Sequence, residues 1–184
     1  MKKLIAVVVI ALFLGGGAAG VWWKYFHHAD RFAMARELMA KGELKAAQIE
    51  LRNVVRDDPS NAEAHFRLGL LQMRTGDPVA AERELTQARN TGFDPRAVLP
   101  LLAQSYMAQG KFAELLKDFP TKSLPPDTLP AILVTRGLAQ LQLKQDDDAA
   151  ASFAEAEKLA PQSIDPVLAS ARLLISKHSY AAAE

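Results

Sequence analysis

The chain has 184 residues, enough for one domain of ordinary size, and its 49% apolar and 23% charged content excludes a disordered polymer. Its 22 basic residues against 21 acidic ones leave a net charge of +1, which argues against nucleic acid as a partner because phosphate binding needs a cationic excess. There is no cysteine, which excludes disulfides, thiolate metal sites, cysteine nucleophiles and lipid attachment through an N-terminal cysteine. Abundant alanine with only 7% aromatics points to closely packed helices.

Lys2 and Lys3 precede an unbroken apolar or glycine run from Leu4 to Trp23. Twenty helical residues span about 30 Å, the hydrocarbon thickness of a bilayer. The run closes on Val21-Trp22-Trp23-Lys24-Tyr25-Phe26, aromatic rings beside a lysine that suit the headgroup layer. Residues 1–27 are therefore expected to be an uncleaved transmembrane anchor. The alternative is a cleaved signal peptide, with Ala18-Ala19-Gly20 as the small residues a peptidase needs. The paired lysines favour a cytoplasmic N-terminus. On that reading the protein is a single-pass resident of the inner (cytoplasmic) membrane, with the remaining residues in the periplasm.

Beyond the anchor the sequence repeats every 34 residues. Gly42, Gly76 and Gly110 share one register, Ala47, Ala81 and Ala149 another, and Leu51, Leu85, Phe119 and Phe153 a third; Pro59 and Pro161 stand three periods apart. The units are 28–61, 62–95, 96–129 and 130–163, with a partial fifth over 164–184. Each reads as helix, tight turn, helix. In the second unit Phe66, Leu70, Leu71 and Met73 recur at helical spacing before Thr75-Gly76-Asp77-Pro78. Gly76 suits the left-handed end of a helix, Asp77 the cap of the next, and Pro78 its first turn. Pro100 is expected to bend or delay the first helix of unit three, and the proline-rich stretch 120–126 to make that unit the least regular.

These features resemble the tetratricopeptide repeat (TPR). The residues that carry the resemblance are Leu68-Gly69, Gly76, Ala81, Leu85 and Ala88 in unit two, and Gly137, Ala149, Phe153, Ala156 and Pro161 in unit four. Position four departs from the family's aromatic (Arg31, His65, Leu99, Leu133), and Lys144 replaces the turn glycine. The run Leu44-Lys45-Ala46-Ala47-Gln48-Ile49-Glu50-Leu51-Arg52-Asn53, with Asp58-Pro59 and Gly76-Asp77-Pro78, is similar to the TPR proteins of bacterial exosortase/PEP-CTERM exopolysaccharide systems.

The resemblance implies an all-α solenoid of stacked helix pairs whose first helices line a concave groove. Positions five, nine and twelve of those helices then face a protein or peptide partner: Phe32, Arg36 and Met39; Phe66, Leu70 and Met73; Pro100, Gln104 and Met107; Val134, Leu138 and Leu141. Met39, Met73 and Met107 fall at 34-residue intervals. A thioether row suits an apolar peptide; equally, methionines fill gaps between helices. Arg36, Arg67 and Arg74 are either a cationic groove edge or solvated helix-face residues.

No motif supports catalysis. Asp146-Asp147-Asp148 is read as a helix cap rather than a calcium loop, His27-His28 as interfacial and His65 as packing. No phosphate loop, dinucleotide fingerprint or zinc-binding His-Glu pair occurs, so no cofactor or metal is expected and the chain is read as non-enzymatic. In unit five Val167, Leu168, Leu173, Leu174 and Ile175 lack a covering helix, which leaves room for further TPR units or self-association. The resulting expectation is a membrane-anchored scaffold, possible roles being exopolysaccharide assembly or export, a chaperone-like adaptor for secreted proteins, or a regulatory subunit of a membrane enzyme.

Overall fold

The computed structural model describes residues 31–181, with side chains to Ile175. The anchor expected over residues 1–27 lies outside this range. Among the described residues no helix is long and apolar enough to cross a membrane. These residues form nine α-helices, two short 3-10 turns and no strand.

The chain divides into two compact units, the first ending at Ala64 and the second starting at His65. In the first, α1 (residues 31–40) is followed by α2 (Leu44–Asp57). Ala35, Ala47, Leu51 and Val54 are completely buried, and Arg31 reaches Asp57 at 3.4 Å. The division falls in the first turn of α3 (Ala62–Arg74), where the Asn61 side chain accepts a hydrogen bond from the Ala64 N–H at 2.9 Å. The second unit continues with α4 (Pro78–Asn90), α5 (Pro95–Ala108), α6 (Phe112–Asp118), α7 (Leu129–Gln142), α8 (Asp146–Leu159) and α9 (Asp165–Ala181).

One turn recurs at each 34-residue step. The N–H of Glu43 bonds to the carbonyl of Leu38, Asp77 to Gln72, Lys111 to Tyr106 and Gln145 to Gln140, all at 2.9–3.0 Å. This six-to-one bond closes a helix only when the residue before the donor adopts positive φ. Gly42, Gly76 and Gly110 do so at 71–79°, and Lys144 at 61°, the sole non-glycine there among the described residues. The backbone motif therefore persists where its usual residue does not. Asp77 caps α4 through the Ala80 N–H at 3.0 Å with Pro78 in the first turn, as expected. At α8 the expectation fails. Gln145 holds the cap position without a side-chain bond, and the three aspartates occupy the first turn, where they face the positive end of the helix dipole.

Prolines set the other helix ends. Asp58, Ala160 and Phe119 each precede proline and leave the helical region, at ψ 86°, 67° and 62°. Pro120 arrives seven residues ahead of the register of Pro59 and Pro161, so α6 has only seven residues, and 3-10 turns at Thr121–Ser123 and Pro126–Thr128 fill the remainder. Pro100, by contrast, neither breaks nor delays α5, which runs through it from Pro95.

The truncation of α6 is compensated from α7. In a helix the Leu116 carbonyl would bond to the N–H of residue 120, which proline lacks. The Arg136 guanidinium donates instead to the carbonyls of Leu116 and Phe119, each at 2.8 Å. Burial lowers the pKa of that guanidinium from its ordinary value.

The core follows the repeat register. Ala81, Leu85 and Ala88 of α4 join Val98, Leu99, Leu102 and Ala103 of α5, Leu115 and Phe119, and Ile132 and Ala139 of α7. A second cluster unites Ala149 and Phe153 of α8 with Ala169 and Leu173 of α9. Helices approach closely at glycine: a Cβ on Gly69 would lie 2.7 Å from Leu85 Cγ, and one on Gly137 2.2 Å from Phe153 Cε1.

Candidate functional site

Within the second unit, α5, α7 and α9 border an open cleft of about 870 Å³. Each is the first helix of its pair, so side chains one period apart meet along the same surface. Met107, Val134, Leu138 and Leu168 supply its apolar lining, while Gln104, Asp127, Asp165 and Arg172 supply polar groups. Gln104, Asp127, Asp165 and Arg172 are exposed, whereas Met107, Val134 and Leu138 are half-buried.

The residues singled out from the sequence separate into three groups. Gln104, Met107, Val134 and Leu138 come together in the cleft. Phe66 and Met73 are half-buried against the α4–α7 core, and the Phe66 ring stacks on Phe93 with centroids 4.5 Å apart and planes at 17°. Met107 also touches that core, so it fills a gap and borders the cleft at once. Leu70 is half-buried on α3, Pro100 on α5, and Leu141 packs on the α8–α9 core outside the cleft lining. Phe32, Arg36 and Met39 belong to the first unit, where Arg36 is exposed and the other two are half-buried.

The sequence reading expected the helix of unit five but left its residues out of the groove candidates. The rule that selected positions five and nine elsewhere gives Leu168 and Arg172 in the fifth unit, and both line the cleft. Asp127 and Pro130, from the shortened end of unit three and the first turn of α7, carried no periodic signal. The cation on this surface is Arg172; Arg67 and Arg74 do not line it.

His65 is not simple packing. Its ring Nδ1 lies 2.8 Å from Glu84 Oε2, with both residues only 7% exposed, and the Arg83 guanidinium donates to Glu84 Oε1 at 2.8 and 3.1 Å. Next to it, Lys111 and Gln109 both donate to Glu82 Oε2 at 2.6 Å, tying the α5–α6 turn to α4. These groups hold helices together; the cleft itself is lined by neither histidine nor cysteine.

Helix pairs repeating in fixed register, joined by one turn motif and packed across glycine, define an all-α helical-repeat fold of TPR-like architecture. Residues 32–95 match the family model described as tetratricopeptide repeat. No curated protein matches it. Among solved structures it is similar to pilF of Pseudomonas aeruginosa, at 22% identity over 86% of this chain and 72% of that one, with a TM-score of 0.63. It is also similar to a tetratricopeptide repeat protein from Parabacteroides merdae, at 22% identity over 83% of this chain and 61% of that one (TM-score 0.67). A third likeness is to YrrB, described as a TPR protein with an unusual peptide-binding site, at 18% identity over 80% and 76% of the two chains (TM-score 0.59). At such identities the likeness establishes the fold. A fold of this kind serves as a scaffold for protein–protein interaction.

Proposed function

We propose that this chain is a membrane-anchored scaffold that recruits a protein partner by holding a peptide segment in the α5–α7–α9 cleft. The observation that carries the reading is the convergence of Met107, Val134, Leu138 and Leu168 from three successive first helices on one surface with polar residues beside them. Such a surface buries apolar side chains of a peptide and fixes its register through Gln104, Arg172 and the two aspartates. The peptide-binding site of YrrB, a protein of similar fold, supports this class of ligand.

The setting is also a proposal. The apolar run Leu4–Trp23 would place the anchor in the inner membrane and the repeats in the periplasm. The similarity over Leu44–Asn53, Asp58-Pro59 and Gly76-Asp77-Pro78 would place the partner in exopolysaccharide assembly or export.

A photocrosslinking amino acid at Gln104 in intact membranes tests the cleft. It is expected to capture one stoichiometric partner, and Ala131→Arg, which fills the cleft from an exposed position, is expected to abolish the adduct. Adducts unchanged by Ala131→Arg would mean that binding occurs elsewhere. A broad spread of clients would indicate a chaperone-like adaptor, and a single membrane enzyme a regulatory subunit.

A further inference from the structure

The charged side chains of the cleft are sorted by sign along it. Among its lining residues the charged ones are Asp127, Asp165 and Arg172. Asp127 lies in the 3-10 turn Pro126–Thr128 directly before α7, and Asp165 is the first residue of α9. Both helices are the first of their pairs and run in the same direction, so the two carboxylates stand at one end of the cleft. Arg172 follows Asp165 by seven residues, about 10 Å along the helix axis. Asp165, Leu168, Ala169 and Arg172 recur at the i, i+3, i+4, i+7 spacing of one helix face, and all four line the cleft. Val134 holds the register position of Leu168 on α7, while Gln104 and Leu138 hold that of Arg172 on α5 and α7. The cleft is thus acidic at one end, apolar in its middle and cationic further along.

None of these three charges is committed inside the fold. All three residues are exposed, and among the described residues their side chains form no hydrogen bond or ion pair. The turn at Pro126–Thr128 and the start of α7 have no side-chain cap, and Asp165 uses its N–H, not its carboxylate, to reach Ser163 Oγ at 3.4 Å. Arg96, the cation whose field Asp127 feels, is bonded to Asp94 at 2.8 Å. The Arg136 guanidinium serves the Leu116 and Phe119 carbonyls and does not line the cleft. Both ends therefore keep their full capacity for charge-assisted hydrogen bonds to a ligand.

We propose that the cleft selects a short extended peptide segment with opposite charges at its two ends. A lysine or arginine sits at the Asp127 and Asp165 end, apolar side chains lie on Val134, Leu138 and Leu168, and an aspartate or glutamate meets Arg172. The inference rests on the cleft being the recognition surface. At about 3.3 Å per extended residue, the separation of the two ends corresponds to about three positions, so the motif is basic, apolar, apolar, acidic, read in one chain direction. A cleft of about 870 Å³ takes a segment of that size rather than a folded surface. A ligand of single sign would meet one attractive end and one repulsive end, and an uncharged one would draw water from three charges without replacing it.

Fluorescence anisotropy with the full-length chain in detergent tests this, using labelled peptides that carry Lys-Leu-Leu-Glu, Glu-Leu-Leu-Lys, Lys-Leu-Leu-Lys, Glu-Leu-Leu-Glu or Gln-Leu-Leu-Gln between Gly-Ser flanks. One of the two mixed-charge peptides is expected to bind at least about threefold tighter than either single-sign peptide, the yield of an exposed ion pair. Asp127→Asn/Asp165→Asn should remove the disadvantage of Glu-Leu-Leu-Glu and Arg172→Gln that of Lys-Leu-Leu-Lys, and high salt should flatten the differences. Single-sign peptides binding as well as the mixed ones, or a selectivity untouched by these substitutions, would overturn the proposal. Ala131→Arg separates it from the reading beneath it. Should Gln-Leu-Leu-Gln bind as tightly as the rest and be displaced by Ala131→Arg, the cleft stands and its charge selectivity is refuted. Should no peptide respond to Ala131→Arg, the cleft itself is not the recognition surface.

Discussion

Gly137→Ala sets two local rules against each other. By helix propensity alone, replacing a mid-helix glycine with alanine stabilises by about 1 kcal/mol. In α7 the added methyl would lie 2.2 Å from Cε1, 2.7 Å from Cδ1 and 2.8 Å from Cζ of Phe153. Relief to an ordinary contact requires the ring to move by more than an ångström. Phe153 is 1% exposed and closed in by Ala149, Ala169 and Leu173, so such a shift spreads into the α8–α9 core. Overpacking of this kind costs about 1–3 kcal/mol, and here the contact is at the severe end. Gly137→Ala is thus expected to destabilise by about 1–2 kcal/mol in urea unfolding, net of its propensity gain. In a Phe153→Ala background all of the clashing ring atoms are gone, and the same substitution should become neutral or stabilising. The sign of the coupling therefore reports the contact itself. A stabilising Gly137→Ala in the unaltered protein would refute the close approach of α7 and α8.

Two further outcomes follow from local geometry. Lys144→Gly removes a side chain from a left-handed residue and is expected to raise stability by about 0.5–1 kcal/mol in the same assay, while Gly76→Ala, at the equivalent turn, should lower it by a similar amount. The Tyr106 hydroxyl is pushed up to about 12 by burial and by its hydrogen bond to Asp118, so between pH 10 and 12 the unfolded chain releases a proton that the folded chain retains. That stabilisation is complete below pH 10 and is lost as pH rises towards 12; a pH titration of unfolding should show a shallower decline for Tyr106→Phe.

The partial exposure of the groove candidates changes how they should be tested. Phe66 stacks on Phe93, so replacing it with a charge would disturb packing before it disturbed any ligand. Gln104, Ala131 and Arg172 are exposed in the cleft and can be altered without opening the core.

What the sequence determined by itself was local or periodic. Gly42, Gly76 and Gly110 mark turns because a six-to-one bond and positive φ are decided within six residues, and Asp77-Pro78 starts α4 for the same reason. The 34-residue register placed Leu85, Phe119 and Phe153 in the core because equivalent positions in stacked units share surroundings. The tertiary structure decided whatever joins distant elements. Arg136 serves α6 only because α7 passes the carbonyls that Pro120 leaves free, and His65 meets Glu84 only because α3 lies against α4. Gln104, Leu138 and Arg172 line one cleft only because of how α5, α7 and α9 sit side by side. Spacing along the chain gives each side chain its direction, but the crossing of helices decides which directions converge.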